Sequence, residues 1–226
     1  MKHNEKHKAH RIAWVRAAVL GANDGIISMS SLIIGVAAAH VDHNDIMPVS
    51  VAGVVAGAMS MAAGEYVSVG SQADIEQAEI ALEKRHLEEH TEFEKSELAD
   101  IYINRGLDPD MAFNVAEQLM AHDALGAHMR DELGISGHVA KPIQAALTSA
   151  LTFTIGGALP LLTFYCSPTQ HLTLTITLFS LASLAVLGGL AAFVGGASIV
   201  KGSIRVLFWG ALAMFLTGII GNLLGT

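Results

Sequence analysis

Five long apolar segments constrain the fold of this chain most strongly. They cover residues 14–39, 46–70, 143–165, 172–198 and 204–225, and an α-helix needs about 20 apolar residues to cross a bilayer. Backbone polar groups in lipid must pair within their own segment, which favours helices. The sequence therefore predicts an all-α membrane protein with five transmembrane helices.

The acidic residues are concentrated in one part of the chain. Of 21 acids, 16 lie between Asp74 and Glu132, whereas none follows Pro142. We expect three regions: an N-terminal tail with transmembrane helices 1–2 (residues 1–70), a helical insert (71–141) and transmembrane helices 3–5 (142–226). An acidic surface repels nucleic acid and attracts metal cations.

The basic residues predict how the chain is oriented. With the N-terminus inside, all 13 Lys and Arg fall on one side of the membrane, as the positive-inside rule requires. They are Lys2, Lys6, Lys8, Arg11, Arg16, Lys84, Arg85, Lys95, Arg105, Arg130, Lys141, Lys201 and Arg205. The first apolar run is too long for a signal peptide, so we expect a retained span. The N-terminus and the insert are then cytoplasmic and the C-terminus is outside, in a membrane that the short loops suggest is a bacterial inner membrane.

Three polar or sulfur-bearing side chains interrupt the first two apolar segments. Asp24 is costly in a membrane, at about 2.5–3.5 kcal/mol on insertion scales, so such a residue usually faces the bundle interior or a water path. Met61 is expected at nearly the same depth as Asp24, and Glu65 lies one turn away from Met61 on the same face. Carboxylates combined with a thioether favour transition metals over Mg²⁺ or Ca²⁺. Together these residues predict a polar path for a metal ion.

The insert is expected to form helices. Residues 72–100 contain no Gly or Pro and are interpreted as one continuous helix. On this helix Glu83, His86, His90, Glu94 and Glu97 fall within about 80° of one another, at 100° per residue. In the following segment, Gly106 is expected to end a helix and Asp108 to cap the next.

A second group of candidate ligands follows at residues 128–132. His128, Met129 and Glu132 lie close together in a helix that Gly134 is expected to end. Folded against the first helix, they predict a site of oxygen, nitrogen and sulfur ligands for Fe²⁺ or Mn²⁺. The alternative is an ordinary solvated charged face. Between Asp74 and Glu132, acids outnumber Lys and Arg 16 to 5, which favours a cation.

A di-iron centre is a further alternative for the insert. Glu83 and His86 have the Glu-x-x-His spacing of carboxylate-bridged di-iron bundles. Such bundles require a second Glu-x-x-His pair, and the sequence contains no second copy. This leaves a membrane-anchored metal storage or ferroxidase protein as the alternative function, and a structural or regulatory protein whose insert senses metal as a third.

Three segments resemble the vacuolar iron transporter family. They are WVRAAVLGANDGIISMSSLIIGVAAA, AGAMSMAAGEYVSVGSQADIE and GLDPDMAFNVAEQLMAHDALGAHMRDELGI. The resemblance implies five transmembrane helices, a homodimer with the pathway at its interface, and a cytoplasmic metal-binding domain between spans two and three. It also implies export of Fe²⁺, and often Mn²⁺, from the cytoplasm in exchange for protons.

The resemblance also assigns ligands. The family's intramembrane ligands fall on Asp24 and Met61, and its cytoplasmic ligands on Glu83, Glu94, Glu97, Met129 and Glu132. His86 and His128 stand where the plant members of the family are expected to have Glu and Met. Both can bind metal as neutral imidazole, which predicts weaker metal loading at acidic pH. Glu65 is expected to carry a proton or guide entry of the ion.

The functional hypothesis is a transporter for iron and manganese homeostasis and detoxification, not an enzyme. The predicted partners are the lipid bilayer, divalent metal ions, protons and a second copy of the chain. No prosthetic group is expected. Fe²⁺ and Mn²⁺ are the predicted cargo, with Zn²⁺ or Co²⁺ as further candidates.

Overall fold

The computed structural model describes residues 12–135 and 140–225, and within these ranges it is helical. The seven α-helices of the described chain are α1 (Ile12–Ala38), α2 (His43–Glu89), α3 (Thr91–Asn104), α4 (Pro109–Asp131), α5 (Pro142–Cys166), α6 (Leu172–Gly195) and α7 (Ile199–Leu224). Five of them, α1, α2, α5, α6 and α7, are long and apolar enough to cross a membrane. The all-α class and the five spans are thereby confirmed. Lys2, Lys6, Lys8 and Arg11 of the orientation argument lie outside the described residues.

The contacts divide the chain into two units. The membrane unit comprises the chain up to Tyr66 and from Pro142 onward, and the insert comprises Val67–Lys141.

Helix α1 is the central helix of the membrane unit and packs against α5, α6 and α7. Half of the most apolar stretch of α1 is buried, compared with 17% of the corresponding stretch of α2. Glycines allow the closest approach, since a Cβ at Gly25 would meet the backbone of Phe153 and Gly157 in α5. Gly21 likewise lies against α5.

Helix α2 contacts the bundle through its own two glycines. Gly53 lies against Met29 and Leu32 of α1, and Gly57 lies against the ring of Phe153 in α5. The close approach of the first two spans therefore occurs at Gly53. Elsewhere α2 carries exposed apolar side chains, namely Val51, Val55, Met59 and Tyr66. In a single copy of the chain, this leaves most of the apolar part of α2 uncovered.

The insert is built by α3 packed against α4, together with the C-terminal part of α2. The core between α3 and α4 contains Leu98, Ala99, Ala116 and Ala127. The expected helix boundaries are confirmed at residues 106–109: Gly106 has a φ of 99°, and the Asp108 side chain accepts the Asp110 N–H at 3.0 Å. The left-handed Gly134, with a φ of 65°, follows the end of α4 as predicted.

The prediction of one continuous helix over residues 72–100 was wrong. Helix α2 runs without interruption from the second apolar segment to Glu89, and α3 starts at Thr91. His90 between them has φ −135° and ψ 36°, and the Thr91 hydroxyl donates to the Leu87 carbonyl at 2.8 Å. Because the break involves neither Gly nor Pro, no standard helix-breaking residue marks it in the sequence.

Helix α4 contains a second irregularity. Asp123 is extended, with φ −160° and ψ 86°, and its carboxylate accepts the Gly126 N–H at 3.0 Å. This is the arrangement of a helix N-cap, so the helix restarts here. A Cβ at Gly126 would collide with the Asp123 side chain. The restart sets the direction of the last turns of α4, which carry His128 and Glu132.

Candidate metal centre

Four side chains of the insert converge on one point. Glu83 comes from α2, Glu94 from α3, and His128 and Glu132 from the end of α4 and its C-cap. One ligand atom from each lies within 4.8 Å of all the others. Ligands bind first-row metals at about 2.0–2.2 Å, so two ligands on opposite sides of an ion lie about 4.4 Å apart. The four groups need only a small contraction to surround one ion.

The break at His90 makes this convergence possible. Eleven residues separate Glu83 from Glu94, and in a straight helix that spacing corresponds to about 16 Å along the axis. Side chains that far apart cannot bind the same ion. Ending α2 at Glu89 and starting α3 at Thr91 lets the chain change direction. Both carboxylates therefore reach His128.

Buried polar atoms in this cluster are left without hydrogen-bond partners. His128 is fully buried, and its Nδ1 lies 2.7 Å from Glu132 Oε2 and 3.0 Å from Glu83 Oε1. This ring nitrogen makes one hydrogen bond, to Glu132 Oε2, and the tautomer of the ring sets which of the two donates. Glu83 Oε1, Glu94 Oε2 and His128 Nε2 are buried and make no hydrogen bond with the described residues. Such atoms are costly unless an ion or another polar group pairs with them.

The electrostatics of the cluster disfavour ionised carboxylates. Burial raises the pKa of Glu83, and repulsion from Glu132 adds to this, while His128 acts in the opposite direction. Burial likewise raises the pKa of Glu97, followed by repulsion from Glu132 and Glu94. A bound cation would reverse the repulsion that raises both values. A cation bound by the cluster would therefore displace protons from these two carboxyl groups.

Two further predicted residues border the four. His86 Nδ1 lies 3.6 Å from Glu94 Oε1, with almost half of the His86 side chain exposed. Glu97 is half-buried and is close enough to Glu94 and Glu132 for their charges to affect it. Met129 follows His128 directly, so about 100° of helix rotation separates their side chains. His90, expected on the same stripe, is exposed at the break.

A group of hydrogen bonds fixes the end of α4, and sequence reasoning missed it. Asp131 accepts from Arg105 Nη1 at 2.7 Å and from the Tyr102 hydroxyl at 3.0 Å. Arg130 Nη2 donates to the same carboxylate at 2.8 Å. Although burial opposes it, these hydrogen bonds lower the pKa of Asp131 to about 2. They join α3 to α4 next to His128 and Glu132. The spacing in the sequence carries no signal for this, since 26 residues separate Arg105 from Asp131.

The membrane unit holds the other three predicted residues. Asp24 is half-buried in α1 and accepts a hydrogen bond from the Ser28 hydroxyl at 2.7 Å. Met61 and Glu65 are half-buried on α2. Gly53 lies against Leu32, and eight residues, about 12 Å of helix, separate Gly53 from Met61 and Leu32 from Asp24. Because α1 and α2 run in opposite directions, Met61 and Asp24 lie at similar depth.

The structure does not join these three residues into one site. Among the hydrogen bonds and ion pairs of the described residues, none links Asp24 to Glu65. Ser28 was not predicted, although its position one turn after Asp24 is a spacing at which helical side chains meet. Within the described residues, the Asp24 side chain therefore has one side-chain hydrogen-bond partner, Ser28.

Comparison with known proteins identifies the family. The sequence model of the VIT family matches residues 15–222. The chain belongs to the VIT family. It is 43% identical over 217 residues to a protein named vacuolar iron transporter from Acanthamoeba castellanii, covering 94% of this chain and 80% of that protein. It is 37% identical over 217 residues to vacuolar iron transporter homolog 2 from Oryza sativa subsp. japonica, covering 96% and 93%.

A third VIT relative agrees with these two. Vacuolar iron transporter homolog 2.1 from Arabidopsis thaliana is 35% identical over 208 residues, covering 92% of this chain and 80% of the relative. The family resemblance expected from the three sequence segments is confirmed. These relatives are named as transporters, in agreement with the expectation that the chain is not an enzyme.

Proposed function

We propose that this VIT-family protein exports Fe²⁺, and also Mn²⁺, from the cytoplasm in exchange for protons. The observation that carries the proposal is the cluster of Glu83, Glu94, His128 and Glu132, whose ligand atoms lie within 4.8 Å of one another. Three carboxylates and an imidazole suit Fe²⁺, Mn²⁺ and Zn²⁺. The names of the relatives favour iron among these ions. Zn²⁺ and Co²⁺ are secondary candidates.

In the proposed mechanism, the insert captures the ion on the cytoplasmic side. Metal binding displaces protons from carboxyl groups whose pKa is raised, above all Glu83 and Glu97. His86, Glu97 and Met129 are proposed as auxiliary ligands at the edge of the cluster. This function requires the insert to be cytoplasmic, as the distribution of Lys and Arg predicts.

Passage through the membrane is proposed to use Asp24 and Met61, with Glu65 guiding entry or carrying a proton. A single chain supplies Asp24 with one hydroxyl partner, Ser28, and leaves Val51, Val55 and Met59 of α2 exposed. A homodimer in which α2 faces its counterpart would cover these side chains and bring together two sets of the three residues. The bacterial inner membrane is the proposed location, and the vacuolar names of the relatives make an internal membrane the alternative. In both, the metal leaves the cytoplasm.

The storage or ferroxidase alternative is less well supported by the geometry. A di-iron centre of the bundle type needs Glu-x-x-His pairs from two helices. Here His86 is largely at the edge, and the imidazole inside the group of four is His128. The group has the dimensions of a site for one ion.

The deciding experiment is transport into proteoliposomes. Full-length protein is reconstituted into liposomes, and a pH gradient is imposed with either the lumen or the outside acidic. Entry of Fe²⁺ or Mn²⁺ is then followed together with lumenal pH. We expect metal entry that depends on the gradient and is accompanied by proton movement in the opposite direction. Protein-free liposomes are the control. Equal metal entry with and without the gradient would rule out proton coupling, and metal binding without entry would favour storage.

A further inference from the structure

A cavity in the membrane unit is lined by none of the residues assigned to metal, although its Asn23 precedes Asp24 in the chain. It has a volume of about 280 Å³ and lies between α1, α6 and α7. Its polar lining consists of Asn23, Ser198, Lys201 and Arg205, and the remainder is apolar or glycine. The cavity thus combines two cations with apolar walls.

Among the described residues, the two cations have no acidic partner. Lys201 and Arg205 lie one turn apart on α7, on the same face of the helix. The chain contains no Asp or Glu after Pro142, and neither side chain takes part in any ion pair found among residues 18–135 and 140–225. Two like charges on one helix face repel each other, and a bound anion would relieve this repulsion.

The start of α7 adds further groups that favour an anion. Ser198 caps the helix, and its hydroxyl accepts the Lys201 N–H at 3.5 Å. The first N–H groups of a helix have no acceptor within the helix, and its N-terminus carries partial positive charge. On the opposite wall, Asn23 Oδ1 is buried and makes no hydrogen bond with any described residue. An occupant would therefore accept at α7 and donate to Asn23.

The position of the cavity indicates an amphipathic occupant. It lies where α6 ends and α7 begins. Next to the cations on α7, the apolar side chains of Ile199, Val200 and Ile204 are at least half exposed. A small soluble anion would make no use of these apolar neighbours. A lipid would place its acyl chains along them and its phosphate in the cavity.

We propose that this cavity binds the headgroup of an anionic glycerophospholipid. Lys201 and Arg205 pair with the phosphate, as basic pockets between transmembrane helices do with lipid headgroups. A headgroup hydroxyl, such as that of phosphatidylglycerol, donates to Asn23 Oδ1. The proposal stands on the membrane unit alone and does not depend on which ion is transported.

Binding of phosphatidylglycerol and phosphatidylcholine to the full-length protein in detergent tests this proposal, with native mass spectrometry as the readout. We expect phosphatidylglycerol to bind about tenfold more tightly or better, and Lys201→Gln/Arg205→Gln to abolish the preference. The matched control is Lys84→Gln/Arg85→Gln, which removes two exposed cations of the insert. This variant should retain the preference for phosphatidylglycerol. The charge-conserving Lys201→Arg should also keep it, which separates loss of binding from misfolding.

Three results would overturn the proposal. Equal binding of the two lipids by wild type would show that the cavity does not select anionic headgroups. An unchanged preference in the Lys201→Gln/Arg205→Gln variant would place the lipid elsewhere. Competition by inorganic phosphate as effective as that by phosphatidylglycerol would assign the cavity to a free anion instead of a lipid.

Discussion

The two candidate metal sites differ in how many helices build them. Among the described residues, Asp24 receives one side-chain hydrogen bond, from Ser28 of its own helix. The insert cluster takes its four candidate ligands from three helices and the residue that follows the last of them. A site with many preformed ligands binds tightly, and a site with few releases its ion readily. Under the proposed function, the insert would capture metal and the membrane unit would let it pass.

The largest effect that tests this comparison is expected from Asp24→Asn. Loss of a partner of a metal ligand typically reduces metal affinity about 10–100-fold, so loss of the ligand itself should reduce transport by about 100-fold or more. Metal binding by the insert should be unchanged. The measurements are metal flux into proteoliposomes and calorimetric titration of the same preparation.

Ser28→Ala is the graded companion of this variant. It keeps the carboxylate of Asp24 and removes its hydroxyl donor, so flux should fall less than with Asp24→Asn. Full flux in Asp24→Asn would contradict the role of the membrane carboxylate and leave the spans as an anchor.

The second effect concerns the insert. Glu94→Gln removes one buried candidate ligand of the cluster, and we expect a loss of about 100-fold in metal affinity, since even loss of a ligand's partner costs about 10–100-fold. Glu92→Gln is the matched control, because Glu92 carries the same charge in the same helix but is exposed. Titration of Fe²⁺ or Mn²⁺ into each full-length variant measures the difference. Equal losses in both variants would mean that general charge, not the cluster, attracts the metal.

The same contrast explains what could be predicted from sequence. Asp24 stood out because a carboxylate in an apolar segment is unusual, and the five spans followed from segment length. The candidate ligands of the insert could be identified from their residue types. Their convergence could not, because it depends on the break at His90, where no Gly or Pro marks the end of α2. The hydrogen bonds from Tyr102 and Arg105 to Asp131 depend on packing between α3 and α4. Residue spacing alone does not encode this packing.

The third effect is a pH dependence of folding stability, which bound metal should reverse. The pKa of Glu83 and that of Glu97 are raised from 4.5 in the folded insert, so the metal-free fold holds protons that the unfolded chain releases. Stability should therefore fall as pH rises from about 4.5 through the raised pKa values. Asp131, with its pKa lowered to about 2, loses its contribution only as pH falls below about 4 and does not affect this window.

Thermal unfolding of the full-length protein between pH 4.5 and 7.5 measures this dependence. The metal-free protein should become less stable towards neutral pH, and saturating Mn²⁺ should remove or invert the trend. Glu83→Gln should weaken the trend in the absence of metal, because the substituted side chain does not titrate. A trend of the same size in Glu83→Gln would assign the pH dependence to other groups.

The smallest effect is expected from Tyr102→Phe, and it separates the shape of the insert from its ligands. This variant removes the hydroxyl that donates to Asp131 at 3.0 Å and leaves all four ligands in place. One such hydrogen bond contributes about 0.5–1.5 kcal/mol, so the insert should unfold at a slightly lower temperature. If the hydrogen bonds to Asp131 also position the end of α4 against α2 and α3, metal affinity should fall as well, but by less than in Glu94→Gln. A stability loss without any change in affinity would mean that the ligands are positioned by the core of α3 and α4 alone, since Leu98, Ala116 and Ala127 remain in contact.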